Sequence, residues 1–187
     1  MQHNYTLEGN SYILRPVKKS DASFIASLRS DQDLTKFINK VTSNVADQEA
    51  WLESYFLRPD DYYFVVERKS DKRQEGLISL YDVDENKGVG EWGRWILRKD
   101  SSAAVESAYL IYMFAFETLS LNKTVCRTIL ENKKVCSFHD SCGLARQRTL
   151  PRYLEDHFDA VEHVLTKPEW LQKTKPMLEP VVKRGIA

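Results

Sequence analysis

The sequence lacks any charge imbalance and any long apolar run. Its 187 residues include 27 Lys and Arg and 27 Asp and Glu, so the formal net charge is zero. A protein that holds nucleic-acid phosphates usually has a basic surface and a high pI, whereas the pI here is about 6.9. No stretch reaches the roughly 18 apolar residues of a membrane-spanning helix. These absences argue against nucleic-acid binding and against a membrane span.

Cysteine is scarce as well. Three cysteines are an odd number for a disulfide framework, which predicts reduced thiols and a cytoplasmic location. The segment 1–4 has neither a basic region nor an apolar region of the secretory type, so we expect no signal peptide. The length and the 42% hydrophobic content predict one globular domain over residues 1–187.

Glycine is also scarce. There are seven glycines, and none lies between Arg94 and Cys142. Glycine is the residue that reaches positive φ without strain and lets a ligand approach the backbone closely. Any loop of this stretch that binds a ligand must therefore do so without glycine.

The hydrophobic patterns predict the order β-α-α-β-β-β-α-β-α-β-β. Such an alternation gives a mixed sheet with helices on both faces. The helix Ala103–Leu119 is apolar nearly all round, as in a helix buried inside a domain. A polar helix after Pro168 is expected to pack on the outside. The basic residues Arg146, Arg148 and Arg152 are interpreted as a solvated strand face.

Four segments together resemble one known family. The strand Gly90–Leu97, the loop Arg98–Ser102, the buried helix after it and the segment Glu131–Leu144 are similar to the GNAT superfamily of acyl-CoA N-acyltransferases. The resemblance spans about residues 12–171 and leaves a helical tail over 168–187. It implies an α/β fold with a GNAT-like mixed, mainly antiparallel twisted sheet. It also implies an acetyl-CoA-dependent N-acetyltransferase that uses no metal ion and is compatible with a homodimer.

The pattern is most similar to the branch that includes the ribosomal-protein alanine and serine acetyltransferases. That branch has a Glu-Ile-Gly-Tyr-Trp-Leu strand, which segment Glu91–Ile96 resembles. It also has an Asn followed eleven residues later by Gly-Phe, and here Asn132 precedes Gly143-Leu144. Asp159 and the pair Glu169-Trp170 resemble its C-terminal region.

A strand, a short turn and a buried helix at Leu97–Glu106 can hold the pyrophosphate of acetyl-CoA. Free amide groups at a helix N-terminus bind phosphate, and the end of a strand can pair with the pantetheine arm. The family loop, Gln/Arg-x-x-Gly-x-Gly/Ala, fits in two registers, starting at Arg98 or at Lys99, and neither has the first glycine. Taken alone, the loop also fits a polar turn with a helix cap. The resemblance implies that the cofactor-binding residues are Trp95, Ile96, Leu97, Arg98, Lys99, Ser101, Ser102, Ala103, Ala104 and Asn132.

Two residues are candidates for proton transfer. Glu91 lies on the strand that should run beside the thioester, and burial would raise its pKa enough for a general base. A structural ion pair with Arg94 or another basic residue explains a strand glutamate equally well. His139 occupies the position where the family often has a tyrosine as general acid. It could also act as a base, or be an ordinary histidine near a helix C-terminus.

Cys136, His139 and Cys142 share one helix face, which raises a zinc site or a nucleophilic cysteine as alternatives. No fourth ligand is spaced nearby, and acyl transfer from a bound thioester needs no covalent intermediate. We therefore expect no metal and no acyl-enzyme.

Few sequence features bear on the identity of the acceptor substrate. Tyr81, Trp92 and Arg94 are the candidate substrate-binding residues, and Trp51, Tyr55, Phe56 and Trp95 add aromatic surface that could equally be core. The favoured acceptor is a small primary amine, more specifically an amino sugar attached to a nucleotide. The alternatives are a protein N-terminal acetyltransferase and a degenerate, non-catalytic binding protein.

Overall fold

The computed structural model describes residues 3–39 and 44–185, which build one eight-stranded mixed sheet. Its spatial order is β1-β2-β3-β4-β5-β6-β8-β7. All neighbours are antiparallel except β5 and β6, which run parallel. The strands are β1 Leu7–Glu8, β2 Tyr12–Pro16, β3 Tyr62–Arg68, β4 Gln74–Asp84, β5 Val89–Leu97, β6 Lys123–Ile129, β7 Ala145–Leu154 and β8 Phe158–Thr166.

Helices cover both faces of the sheet. They are α1 Ala22–Ser30, α2 Gln32–Thr35, α3 Val45–Tyr55, α4 Ala104–Met113, α5 Lys133–Ser141, α6 Lys167–Glu169 and α7 Lys175–Arg184. Strand β3 shows why there are two cores, since successive side chains point to opposite faces. Tyr63 and Val65 pack with α1 and α3, whereas Phe64 and Val66 pack with α4.

Helix α4 is the central helix of the second core. It continues through a π-helical turn, Phe114–Thr118, and nearly all its side chains are buried, as its apolar sequence predicts. The C-terminal segment packs against it: Trp170 is fully buried and contacts the rings of Tyr109 and Tyr112. The expected outer helix is therefore in place, but its tryptophan belongs to the core.

The parallel strands β5 and β6 separate after a short contact. Only three residue pairs join them, from Val89↔Lys123 to Glu91↔Val125. Beyond Glu91 the two strands part, and the β6 side of β5 has no strand partner within the described residues. A wedge-shaped opening in the sheet therefore begins at Glu91.

The predicted fold class, a mixed sheet with helices on both faces, is confirmed. The short strand β1 and the one-turn helix α2 were missed, because two and four residues carry too little periodicity to be recognised. Strand β7 has a mostly exposed face carrying Arg146, Arg148 and Arg152, as expected. In the described part of the chain, no helix has the length and apolar character to cross a membrane.

Candidate active site

A cavity of about 580 Å³ opens where β5 and β6 separate. Residues from strands β4 to β7 and from helices α1 and α3 surround it. Its lining combines aromatic rings with charged side chains. The residues that line it are Arg29, Phe37, Ile38, Asn39, Asp47, Gln48, Trp51, Arg58, Tyr81, Glu91, Gly93, Arg94, Arg127, Ile129, Tyr153 and Leu154.

Glu91 is the buried acid of this cavity. Its side chain is 7% exposed, and one carboxylate oxygen accepts a hydrogen bond from the Tyr81 hydroxyl at 2.8 Å. The other oxygen forms an ion pair with Arg127. Burial raises the pKa of Glu91, while the Tyr81 hydrogen bond and the Arg127 charge oppose that rise. A carboxylate with this environment and access to the cavity can accept a proton.

Arg127 connects Glu91 to a second buried carboxylate. Its Nε donates to Glu162 at 3.0 Å, and Glu162 also accepts from Arg148 at 2.9 Å. The chain Glu91–Arg127–Glu162–Arg148 therefore alternates in sign and leads from the cavity to the exposed face of β7. This arrangement fixes the orientation of the Glu91 carboxylate.

A bulge in β5 positions the residues beside Glu91. Ser79 pairs with Gly93 and Leu77 with Ile96, so two residues of β5 face one residue of β4. Arg94, inside the bulge, has a φ of +47°, an uncommon value for a non-glycine residue. Gly93 leaves room for Tyr81, because a Cβ there would lie 2.9 Å from the tyrosine hydroxyl oxygen.

The bulge directs the Arg94 guanidinium into the cavity wall. It binds Asp61 through Nη1 at 2.7 and 2.9 Å, and it lies 4.4 Å from the centre of the Tyr81 ring and 5.6 Å from that of Trp51. Asp61 is 5% exposed, so this pair is largely withdrawn from water. The expected substrate residues Tyr81 and Arg94 therefore both line the cavity.

Trp92 and His139 lie elsewhere, contrary to expectation. Trp92 is 2% exposed and contacts the rings of Trp95, Tyr112 and His139 in the core. His139 is also 2% exposed, and neither residue lines the cavity. Burial lowers the pKa of His139 to about 3, with a further decrease from His163. A neutral, buried imidazole does not fit the protonated acid that the family position implies. The sequence correctly places His139 on helix α5, but it does not indicate that the side chain is buried.

The neutral state of His139 predicts a loss of stability in acid. A histidine whose pKa drops from 6.5 to about 3 on folding stabilises the fold fully above pH 6.5, and this contribution disappears as the pH falls toward 3. The loss is about 1.4 kcal/mol per pH unit in that window. Urea unfolding at pH 7 and pH 5 measures it, and the His139→Gln variant should lose about 2 kcal/mol less than the wild type between these two pH values.

The exposed His157 provides the matched control. His157→Gln should retain the acid sensitivity of the wild type. An equal pH dependence in wild type and His139→Gln would contradict the neutral, buried state of His139.

The loop before α4 presents unpaired amide groups. Among the described residues, no acceptor is found for the backbone N–H of Ser102, Ala104, Val105 or Glu106. Neither Ser101 nor Ser102 has a positive φ. The missing glycine is therefore not required by the backbone conformation, and this helix N-terminus remains suited to bind phosphate.

The two serine hydroxyls hold the loop in place. The Ser101 Oγ accepts from the N–H of Ala103 at 3.2 Å, and the Ser102 Oγ lies 2.7 Å from the Tyr12 hydroxyl. Glu106 accepts from the backbone N–H of Ser11 at 2.9 Å and of Tyr12 at 3.0 Å. The loop is thus tied to strand β2 without using its own backbone donors.

The remaining expected cofactor residues have structural contacts of their own. Arg98 donates to the carbonyl of Gln74 at 2.8 Å, and Lys99 forms ion pairs with Asp31 and Asp33. The Trp95 indole donates to Ser107, and Ile96 is in the core with α1 and α3. Leu97 ends β5, and Ala103 is fully buried. Apart from Lys99, whose side chain is exposed, these side chains are engaged in packing or in contacts within the protein.

Asn132 caps helix α5. Its side-chain oxygen accepts from the N–H of Val135 at 3.4 Å, which is the ordinary capping role of asparagine. The side-chain nitrogen is the group that could contact a pantetheine carbonyl.

All three cysteines are buried, and none lines the cavity. Burial raises the pKa of the Cys136 and Cys142 thiols, which makes them poor nucleophiles. In the described ranges, no group of three or more His, Cys, Asp or Glu side chains could hold a metal ion, and this includes the set Cys136, His139 and Cys142.

The structure thus joins Tyr81, Glu91 and Arg94 in one cavity and adds residues that the sequence reading missed. Arg127 and Arg29 are the most important of these. Arg127 had a weak signal, because it is a charged residue in the middle of a strand, whereas Lys123 stands at the exposed start of that strand. Arg29 had none, because it stands at the end of an ordinary amphipathic helix.

Comparisons with known proteins identify similar chains. A family model described as an acetyltransferase (GNAT) domain matches residues 12–145. The apo structure of FdhC, described as a nucleotide-linked sugar GNAT, is 30% identical, with a TM-score of 0.79 over 94% of this chain and 97% of that one. No curated protein sequence matches.

More distant structures share the fold. Spermidine N-acetyltransferase from Vibrio cholerae, in complex with CoA and spermine, is 18% identical, with a TM-score of 0.78 over 87% of this chain and 99% of that one. A GCN5-related N-acetyltransferase from Brucella melitensis is 18% identical, with a TM-score of 0.81 over 99% of this chain and 86% of that one.

Proposed function

Because this chain belongs to the GNAT acetyltransferase family, we propose that it transfers an acetyl group from acetyl-CoA to the primary amine of a small acceptor, specifically an amino sugar attached to a nucleotide. The observation that carries this proposal is the buried Glu91 carboxylate in a cavity that begins where β5 and β6 separate. Family membership supplies acetyl-CoA as the co-substrate.

The transfer proceeds directly between the two bound substrates. Glu91 accepts a proton from the acceptor ammonium, and the free amine attacks the thioester carbonyl. The C–N bond forms and the C–S bond breaks, while the second proton lost by the nitrogen ends on the departing sulfur. Glu91 then releases its proton to solvent. No cysteine faces the cavity in the described part of the chain, which favours this route over an acyl-enzyme.

The cofactor is held by backbone groups on two elements. The amide groups of Ser102 and of residues 104–106 receive the pyrophosphate, and the unpaired edge of β5 beyond Glu91 receives the pantetheine arm. Asn132 contributes its side-chain nitrogen near the start of α5. This assignment follows the expected cofactor residues, with the backbone taking the role first given to the side chains of Arg98 and Lys99.

The charge of the cavity favours an anionic acceptor. Among the described residues, four arginines line it, against the carboxylates of Asp47 and Glu91. Asp61 and Glu162 form ion pairs with Arg94 and Arg127, so Arg29 is the arginine whose charge is left without a carboxylate there. A polyamine acceptor would need the opposite balance, because it carries several positive charges. A nucleotide-linked amino sugar combines an amine with a diphosphate, and FdhC, a 30% identical chain, is described as a nucleotide-linked sugar GNAT.

Calorimetric titration with acetyl-CoA, followed by a thiol-release screen, tests the proposal. We expect acetyl-CoA to bind and amino sugar nucleotides to release thiol faster than polyamines or peptide N-termini. Preferential acetylation of peptides would support the alternative of a protein N-terminal acetyltransferase. Absence of binding at millimolar acetyl-CoA would reject the enzyme and favour a non-catalytic binding protein.

A further inference from the structure

Three of the arginines that line the cavity lie near Asp61 and the buried Tyr63. Arg29 is in the last turn of α1, Arg58 follows α3, and Arg94 is in the bulge of β5. Arg94 lies 5.8 Å from the centre of the Tyr63 ring. Three elements that are distant in sequence thus bring positive charge to the cavity, and Arg94 packs on the Tyr81 ring whose hydroxyl donates to Glu91.

The nearby carboxylates do not neutralise these arginines. Asp61 forms a salt bridge with Arg94 at 2.7 Å and contacts Arg58 at 3.6 Å, so one acid serves two guanidinium groups. Within the residues that the structure describes, Arg29 forms no salt bridge with a carboxylate. The exposed Asp47 is the one other acid, besides Glu91, among the described residues that line the cavity.

The Tyr63 hydroxyl shows where the Arg29 side chain lies. Tyr63 is fully buried, its hydroxyl makes no hydrogen bond of good geometry among the described residues, and the Arg29 guanidinium is the side-chain donor that approaches it. Burial raises the pKa of this phenol, and the positive charges of Arg29 and Arg94 oppose that rise, which places both guanidinium groups near the hydroxyl. Tyr63 does not itself line the cavity, so a ligand there would meet the guanidinium groups of Arg29 and Arg94 and not the phenol.

We infer that Arg29 and Arg94 form a subsite for the diphosphate group of the acceptor, and that Arg29 determines the specificity of the cavity for it. The inference rests on the proposed function, because it assumes that the acceptor amine lies at Glu91. Arginine suits the role, since its planar guanidinium donates two parallel hydrogen bonds to phosphate oxygens. Arg94 is already oriented by Asp61, whereas Arg29 keeps its donors free of any carboxylate and makes the stronger contact.

Calorimetric titration of CoA-saturated protein with UDP, dTDP and inorganic pyrophosphate tests the subsite. Saturation with CoA blocks the phosphate-binding loop before α4, so binding reports on the cavity. The Arg29→Gln variant should bind all three anions about 10- to 100-fold more weakly than the wild type. Asp47→Asn removes a repelling charge and should bind them several-fold more tightly. Arg146→Gln, which changes an exposed arginine outside the cavity, should leave their affinity unchanged.

Opposite effects of the Arg29→Gln and Asp47→Asn substitutions on anion affinity support the subsite. Arg29→Lys is a second, milder variant, and its affinity for the anions should lie between those of the wild type and Arg29→Gln. Equal binding by wild type and the Arg29 variants, or no binding of any of the three anions by the wild type, overturns it. The same protein is titrated with acetyl-CoA in parallel. If acetyl-CoA binds and the anions do not, the subsite fails and the proposed function remains; if acetyl-CoA does not bind, the proposed function itself fails.

Discussion

The Glu91→Gln variant should lose about 100- to 10,000-fold in kcat, the range typical for removal of a general base. Glutamine has nearly the same shape as glutamate, and its side-chain oxygen can still accept from Tyr81. It cannot accept the ammonium proton. Acetyl-CoA affinity should stay unchanged, because no step of cofactor binding uses Glu91. Steady-state kinetics with the best acceptor of the screen, together with cofactor titration, measures both quantities.

The pH profile separates a base from a merely structural glutamate. Burial raises the pKa of Glu91, so the wild-type rate should fall with decreasing pH at a point above the ordinary value of a glutamate. In Glu91→Gln this acidic limb should vanish, and the rate should follow the ionisation of the acceptor amine. Glu85→Gln, in the exposed turn of the same β4–β5 hairpin, is the matched control. Wild-type turnover in Glu91→Gln would remove Glu91 from the mechanism.

The Ala104→Glu variant should bind acetyl-CoA about 10- to 100-fold more weakly, since a negative charge a few ångströms from a phosphate costs roughly 1–3 kcal/mol. Ala104 is the first residue of α4, beside the unpaired amide groups of the loop. An acidic residue at a helix N-terminus stabilises the helix by itself. The variant should therefore fold as well as the wild type while losing the cofactor. Thermal unfolding and calorimetry distinguish these two effects.

Helix α3 offers the matched control for this substitution. Val45 is the exposed first residue of α3, so Val45→Glu places the same charge at another helix N-terminus. It should leave acetyl-CoA affinity close to that of the wild type. If Ala104→Glu bound acetyl-CoA as tightly as the wild type does, the phosphate would have to bind elsewhere.

Local patterns were sufficient to predict most of the elements and a mixed sheet with helices on both faces, whereas the mainly antiparallel order came from the family resemblance. The apolar helix Ala103–Leu119 and the aromatic and β-branched strands correspond to α4 and to β3–β5, because periodicity and burial are local properties of a segment. Gly143, expected after the short helix α5, has a φ of +80°. The glycine-poor loop was the main question left open. The positive-φ positions of the structure do not include Ser101 or Ser102.

The composition of the cavity could not be predicted in the same way. Arg29, Arg94 and Arg127 come from three elements, and only their packing brings the side chains into one cavity. His139, in contrast, was expected in the site, and the structure places it in the core. A family position can be read from spacing, but the burial that lowers its pKa comes from Trp92 and His163, which lie far away in sequence.

Direct transfer at Glu91 is tested by mixing acetyl-CoA with an amino sugar nucleotide and following thiol release together with the mass of the acceptor. We expect thiol release and a gain of one acetyl group on the sugar amine in equal amounts with the wild type, and we expect both nearly to disappear with Glu91→Gln. Thiol release without acetylated acceptor, or equal rates in the two proteins, would contradict direct transfer at Glu91.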